Sequence, residues 1–174
     1  MHRGWLCAAS FLGCLGFTEP TSGERADSFQ GAILDADPLC VEPGRFSMTQ
    51  ELVVDKRNDN RVWQRRVSER LPHAEAVRYC ANLVLEGSRG FRLPSPQEIG
   101  TLKLKAGGLF GGRGRHYCVP SIDQAAFPET PAAEFWTSRI MPDGTAWYMG
   151  FDDGRMHRDD VNDPLWVRCV RDAR

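Results

Sequence analysis

Four cysteines, Cys40, Cys80, Cys118 and Cys169, are dispersed through the body of the chain, beyond an apolar leader that carries Cys7 and Cys14. None of the four stands at a C-x-x-C spacing, and the histidines, His2, His73, His116 and His157, add no ligand pattern, so no structural zinc site is indicated. An even set of cysteines behind an export leader points to an oxidising compartment and two disulfides, for which three pairings are open. In a chain of 174 residues such staples tie one ordinary domain plus short extras.

The leader itself is legible. Met1-His2-Arg3 carries one fixed positive charge, and Gly4 to Phe17 has no charged side chain, the pattern of an export signal. The apolar run, about 14 residues, is too short to cross roughly 30 Å of hydrocarbon, so no permanent membrane span is expected. Phe11-Leu12-Gly13-Cys14 resembles a bacterial lipobox, with Phe11 where Leu is usual. Lipidation at Cys14 and plain cleavage after Gly16 both fit. Residues 18–47, with Pro, Gly and Ser and little periodicity, read as a tether, and 48–174 as the domain.

Charge and composition exclude several classes. With 22 Lys+Arg against 23 Asp+Glu the balance is near neutral, so no whole surface is built for nucleic acid and any polyanion site must be a local patch. A hydrophobic fraction of 41% is enough for a sizeable core and argues against disorder. The 17 Gly and 11 Pro predict many turns, short strands and long loops.

Along the body, Leu52–Val54 and Val62–Trp63 read as a hairpin around a polar turn, Asp55 to Asn60. Val77, Cys80, Ala81 and Val84 fall at i, i+3, i+4 and i+7 between Pro72 and Gly87, predicting an amphipathic helix with Cys80 buried. Ser95-Pro96-Gln97-Glu98 is a capping box with Pro at the first helical position. A Gly/Arg-rich loop then runs from Gly107 to about Glu134. Phe135–Ser138, Thr145–Phe151 and Leu165–Val170 are the closing strands. In the second, Trp147, Met149 and Phe151 share a face; in the third, Leu165, Val167 and Cys169 oppose Trp166, Arg168 and Val170.

Taken together, Trp63, Tyr79-Cys80, Phe91-Arg92-Leu93-Pro94-Ser95 with Glu98, Phe135-Trp136-Thr137-Ser138, Trp147 with Phe151 to Gly154, and Val167-Arg168-Cys169-Val170-Arg171 resemble the Lcl C-terminal domain family, a domain of unknown function in exported bacterial proteins. The resemblance covers roughly residues 50 to 171. Phe91 departs from it, the family commonly having Trp there, and the Gly/Arg-rich insertion with Cys118 is not explained by the motif. The resemblance implies an α+β, C-type-lectin-like fold shared with formylglycine-generating enzymes: two helices packed around a small twisted antiparallel sheet, with a long loop region. It also implies that Cys80 pairs with Cys169, which leaves Cys40 for Cys118.

For chemistry, the residues favour binding over catalysis. Ser95, Ser121 and Ser138 have no histidine at an informative spacing, and a formylglycine-type activity would need Cys40 or Cys118 as free thiols. Asp152, Asp153, Asp159, Asp160, Asn162 and Asp163 are hard oxygen ligands, but the lectin calcium motifs are absent, so solvated acidic turns are expected, with no metal and no cofactor. Lys103, Lys105, Arg113 and Arg115, with His116 adjacent, gather positive charge between residues 103 and 116 without an acid, and guanidiniums there could clamp sulfate, phosphate or carboxylate groups. Some members of the resembled family are associated with sulfated glycans. Trp63, Trp136, Trp147 and Trp166 are expected in the core, and Arg92 and Arg168 in salt bridges or strand-edge contacts. The expected protein is therefore an exported binding module of the bacterial envelope or exterior, for a surface glycan that is acidic or sulfated. The alternative is a structural or protein-interaction subunit of an envelope assembly.

Overall fold

The computed structural model describes residues 38–104 and 118–173. After a 3-10 turn (Pro38–Cys40), strands β1 (Phe46–Met48), β2 (Leu52–Asp55) and β3 (Arg61–Gln64) are followed by helices α1 (His73–Asn82) and α2 (Pro96–Gly100). The chain closes with β4 (Glu134–Ile140), β5 (Thr145–Gly150), β6 (Arg155–Asp160) and β7 (Val170–Arg171). This is a small α+β protein with few helices and two antiparallel sheets, of order β1-β2-β3-β7 and β4-β5-β6. The single sheet implied by the family resemblance is thus divided. The division arises in the stretch 165–169, whose backbone bonds go to different partners: Leu165 bridges Leu71, Trp166 runs parallel to Phe135, and Gln64 donates to the Cys169 carbonyl. Only Val170 and Arg171 continue a ladder, against β3, so the expected strand from Leu165 shortens to its last residues.

The inner strands of both sheets are covered on both faces, which follows from their alternation. Leu52, Val62, Trp136 and Ala146 enter one buried cluster, and Val53, Trp63, Phe135 and Met149, of opposite parity on the same strands, enter a second. Successive strand side chains point to opposite faces, so runs such as Leu52-Val53 and Val62-Trp63 suit strands buried twice. Helix α1 lies on the first cluster through Ala76 and Cys80, and α2 on the second through Ile99. Trp166, Arg168 and Val170 do face away from Leu165, Val167 and Cys169, as the alternation predicts.

Helix α1 forms where expected but turns a different face inward. His73, Ala76 and Cys80 are buried, whereas Val77 and Val84 are 44% and 41% exposed and Ala81 is exposed. The reason is the buried His73, whose Nε2 lies 2.8 Å from the Thr137 carbonyl and whose ring packs edge-on against Trp136. That contact fixes the helix rotation, and hydropathy alone does not see it. The capping box at α2 forms in full: Ser95 Oγ accepts from the Glu98 N–H at 3.2 Å and Glu98 accepts from the Ser95 N–H at 2.7 Å.

Two further expectations change. Residues 38–47, expected in the tether, are folded in: Arg45 is buried and Phe46 opens β1. In the expected loop, Ile122, Ala126 and Phe127 are core residues, organised by Asp123, whose Oδ1 accepts the N–H groups of Ala125 and Ala126. The disulfide implied by the resemblance, Cys80–Cys169, is present and buried in the first cluster, and the pair it leaves over, Cys40–Cys118, is joined at the surface, with Cα separations of 5.5 and 5.6 Å. Disulfides of this kind belong to oxidising, extracytoplasmic environments. No helix among the described residues is long and apolar enough to cross a membrane.

Candidate functional site

A cleft of about 600 Å³ opens where the β2–β3 turn meets the end of α2, lined by Glu42, Arg45, Arg57, Asn58, Thr101 and Lys103 among others. Its floor is an ion cluster built on Asp55. The carboxylate accepts Arg45 Nε at 3.0 Å, the Arg57 N–H at 3.1 Å and Asn58 Nδ2 at 2.6 Å. One acid therefore shapes the turn and holds the buried guanidinium, while Asp59 and Asn60 supply the left-handed residues the turn needs. Arg45 also pairs with Glu42 and donates to the Thr101 carbonyl at 2.7 Å, joining β1 to the end of α2. Burial opposes both charges, but their mutual hydrogen bonds overcome it, so the Arg45 pKa is raised and the Asp55 pKa lowered. Arg45 is thus a fixed wall, its charge largely matched. Arg57 and Lys103 are the exposed cations of the cleft.

Lys103 is held by both its backbone and its stem. It bridges Ile122, the next residue Leu104 donates to the Ser121 carbonyl at 2.9 Å, and Ser121 donates to the Phe151 carbonyl at 2.7 Å. The Lys103 stem crosses Gly154 so closely that a Cβ there would lie 2.8 Å from Cε and 3.3 Å from Nζ. Gly154, at φ +68, serves both the turn and this close approach. Among the described residues Lys103 makes no ion pair.

Of the residues predicted from sequence, Lys103 lies at this cleft, while Lys105, Arg113, Arg115 and His116 lie outside the described residues, as do Cys14 and the leader. The described ends of the basic segment are nevertheless anchored, Leu104 on Ser121 and Cys118 on Cys40, two residues before the cleft residue Glu42. Sequence reasoning missed Arg45, Arg57 and Asn58. The signal for the last two was the polar turn after Asp55, read only as a connection; Arg45 had none, because it stood in apparent tether.

The acidic stretch is used locally. Asp153 accepts the Arg155 N–H and pairs with His157 Nε2 at 2.8 Å, Asp143 pairs with Arg158, and Asp160 accepts from Asn162. Among the described residues, no group of three or more His, Cys, Asp or Glu is placed to hold a metal ion. Trp63 and Trp136 are fully buried, whereas Trp147 and Trp166 are partly exposed; Trp147 stands apart from both clusters and lies under Arg158.

The two motif arginines diverge. Arg92 is a surface residue that grips Glu98 with two bonds of 2.8 Å and reaches Asp172. Burial alone would raise the Glu98 pKa, but Arg92 and the Ser95 N–H outweigh it and hold it at about 2. Arg168 is fully buried, and among the described residues it makes no ion pair; its partners are the carbonyls of Gln64, at the end of β3, and Arg65, Thr130 Oγ1 and the Phe127 face at 4.6 Å. Burial pulls its pKa down to about 9.

No curated protein matches the chain. The model of the Lcl C-terminal domain matches residues 51–171, a span that runs from β2 through the Arg92–Glu98 motif to β7, and the chain belongs to that family.

Proposed function

We propose that this protein is an exported, non-catalytic binding module with a C-type-lectin-like variant fold, and that it recognises an acidic or sulfated glycan of a cell surface or the extracellular matrix. The observation that carries the reading is the position of the cleft: its exposed cations Arg57 and Lys103 stand at the root of the 103–116 segment, which contributes Lys105, Arg113, Arg115 and His116. Anionic groups spaced along a polysaccharide would meet successive cations, with Asn58 Oδ1 and Thr101 Oγ1, whose donors are engaged by Asp55 and the Glu98 carbonyl, left to accept from neutral hydroxyls. The surface disulfide supports a binding role, since Cys40 and Cys118, the thiols that a formylglycine-type activity would use, are joined.

One observation favours a second reading, an envelope protein as partner. Leu39 and Val119, 65% and 64% exposed, flank the Cys40–Cys118 bond, and exposed apolar residues gathered at one place suit a protein contact. An array of neutral, acidic and sulfated glycans, probed with and without calcium, separates the two. The glycan reading expects calcium-independent binding confined to the acidic members and lost with Arg113→Ala/Arg115→Ala. Silence across the array would remove it and leave the protein partner.

A further inference from the structure

We infer that strand β6 is a self-pairing edge, at which two copies of this chain join antiparallel about a two-fold axis through His157. The interface is independent of the glycan cleft. Among the described residues β6 pairs only with β5, leaving its other side open, and four of its six residues are exposed. An open edge of that length is a template for another strand unless its side chains forbid pairing.

The backbone fixes which residues the edge offers. Val161 donates to the Gly144 carbonyl across the β5–β6 pair, so the residues of the same parity, His157 and Asp159, direct their backbone groups at β5, and Met156, Arg158 and Asp160 direct theirs outward. Trp147, opposite Arg158, agrees: its carbonyl turns away from β6 and accepts Thr137 Oγ1 at 2.7 Å. The Asp160 N–H is already taken by Asp159 Oδ1 at 2.9 Å, which leaves Met156 and Arg158 as the free pairing unit. Matching Met156 with Arg158 of a second copy places His157 on the axis.

The same register matches the charges. Directly opposed residues of an antiparallel pair lie on one face of the sheet, and in this register Arg155 stands opposite Asp159 of the second copy, twice by symmetry. Within one chain neither has a salt-bridge partner: among the described residues Arg155 makes no ion pair, and Asp159, whose Oδ1 accepts the Asp160 N–H, makes none either and raises the pKa of the neighbouring Asp163. An edge guarded by charge against a second copy sets like charges opposite one another. This one carries Arg155 at one end and Asp159 and Asp160 at the other, with Arg158, already paired with Asp143, opposite Met156, a pattern complementary to itself when reversed. The product is a continuous sheet with the two β6 strands at its centre.

Sedimentation velocity of the purified chain over a concentration series, at low and at moderate salt, tests this. The expected result is a concentration-dependent species of twice the 19.5 kDa chain mass. Arg155→Asp and Asp159→Arg should each weaken self-association about tenfold or more, because each sets like charges opposite one another. Mixing the two single variants, or combining them in one chain, should restore it, since opposite charges face again. Circular dichroism of each variant reports its folding separately. A chain that stays monomeric throughout, or a dimer indifferent to both substitutions, would overturn the proposal.

Discussion

The backbone N–H of Leu104 meets the carbonyl of Ser121 at 2.9 Å, and this one bond closes the base of the basic segment beside the cleft. Because Ser121 in turn donates to Phe151, the exit of that segment is tied to the turn that carries Gly154. Gly154 leaves the space that the Lys103 stem occupies.

Gly154→Ala is therefore expected to act twice. A side chain at φ +68 strains the backbone, at a cost of about 1 kcal/mol or more, and its Cβ displaces Lys103. Thermal unfolding should show the lower stability. Binding to an acidic polysaccharide, measured well below the melting range, should weaken several-fold, whereas Gly144→Ala, at a turn with open space around it, should lower stability without affecting binding.

Glu98 gives a pH signature. Its folded pKa is about 2 against an ordinary 4.5, so the ion cluster with Arg92 contributes its full stability above pH 4.5 and loses it as the pH falls towards 2. The contribution is on the order of 3 kcal/mol. Urea unfolding of wild type and Glu98→Gln at a series of pH values should show the two curves converging in that window. Parallel curves from pH 7 down to pH 2 would show that the carboxylate has no such role.

The fold was legible where local chemistry decides it. Ser95, Pro96 and Glu98 announce their helix because a capping box satisfies its own backbone, and Leu52 to Trp63 announce their hairpin through a polar turn between apolar runs. The face of α1 was not legible, because the buried contact of His73 with Thr137 and Trp136 outweighs the spacing of Val77 and Val84. Nor was Arg45. A lone arginine among Pro and Gly carries no periodic signal, and only its meeting with Asp55, ten residues on, makes it a wall of the cleft. Lys103 could be singled out as part of a charge run, but not its seat on Gly154, which requires two distant turns to converge.

Arg168 is expected to be one of the most sensitive positions. Arg168→Met fills much of the space but leaves the carbonyls of Gln64 and Arg65 and the Thr130 hydroxyl without their donor, which should cost about 3 kcal/mol. Arg168→Lys should recover only part of that, since one ammonium cannot span the fork of partners. Chemical denaturation of the two variants checks the order.

The disulfides should differ in accessibility. Cys80 and Cys169 are both fully buried, whereas the Cys40–Cys118 bond lies at the surface. Under native conditions a mild thiol reductant followed by alkylation should label Cys40 and Cys118 first, with Cys80 and Cys169 labelled only on unfolding. Mass mapping of the labelled peptides reads the order directly.

The most direct test of the central reading is the affinity of one sulfated polysaccharide for the wild-type chain and for Arg57→Ala/Lys103→Ala, measured by calorimetry at two salt concentrations. The cleft predicts binding that weakens with salt and falls about tenfold or more in the variant, with a shallower salt dependence because fewer cations take part. Equal affinity and equal salt dependence in the two proteins would contradict it.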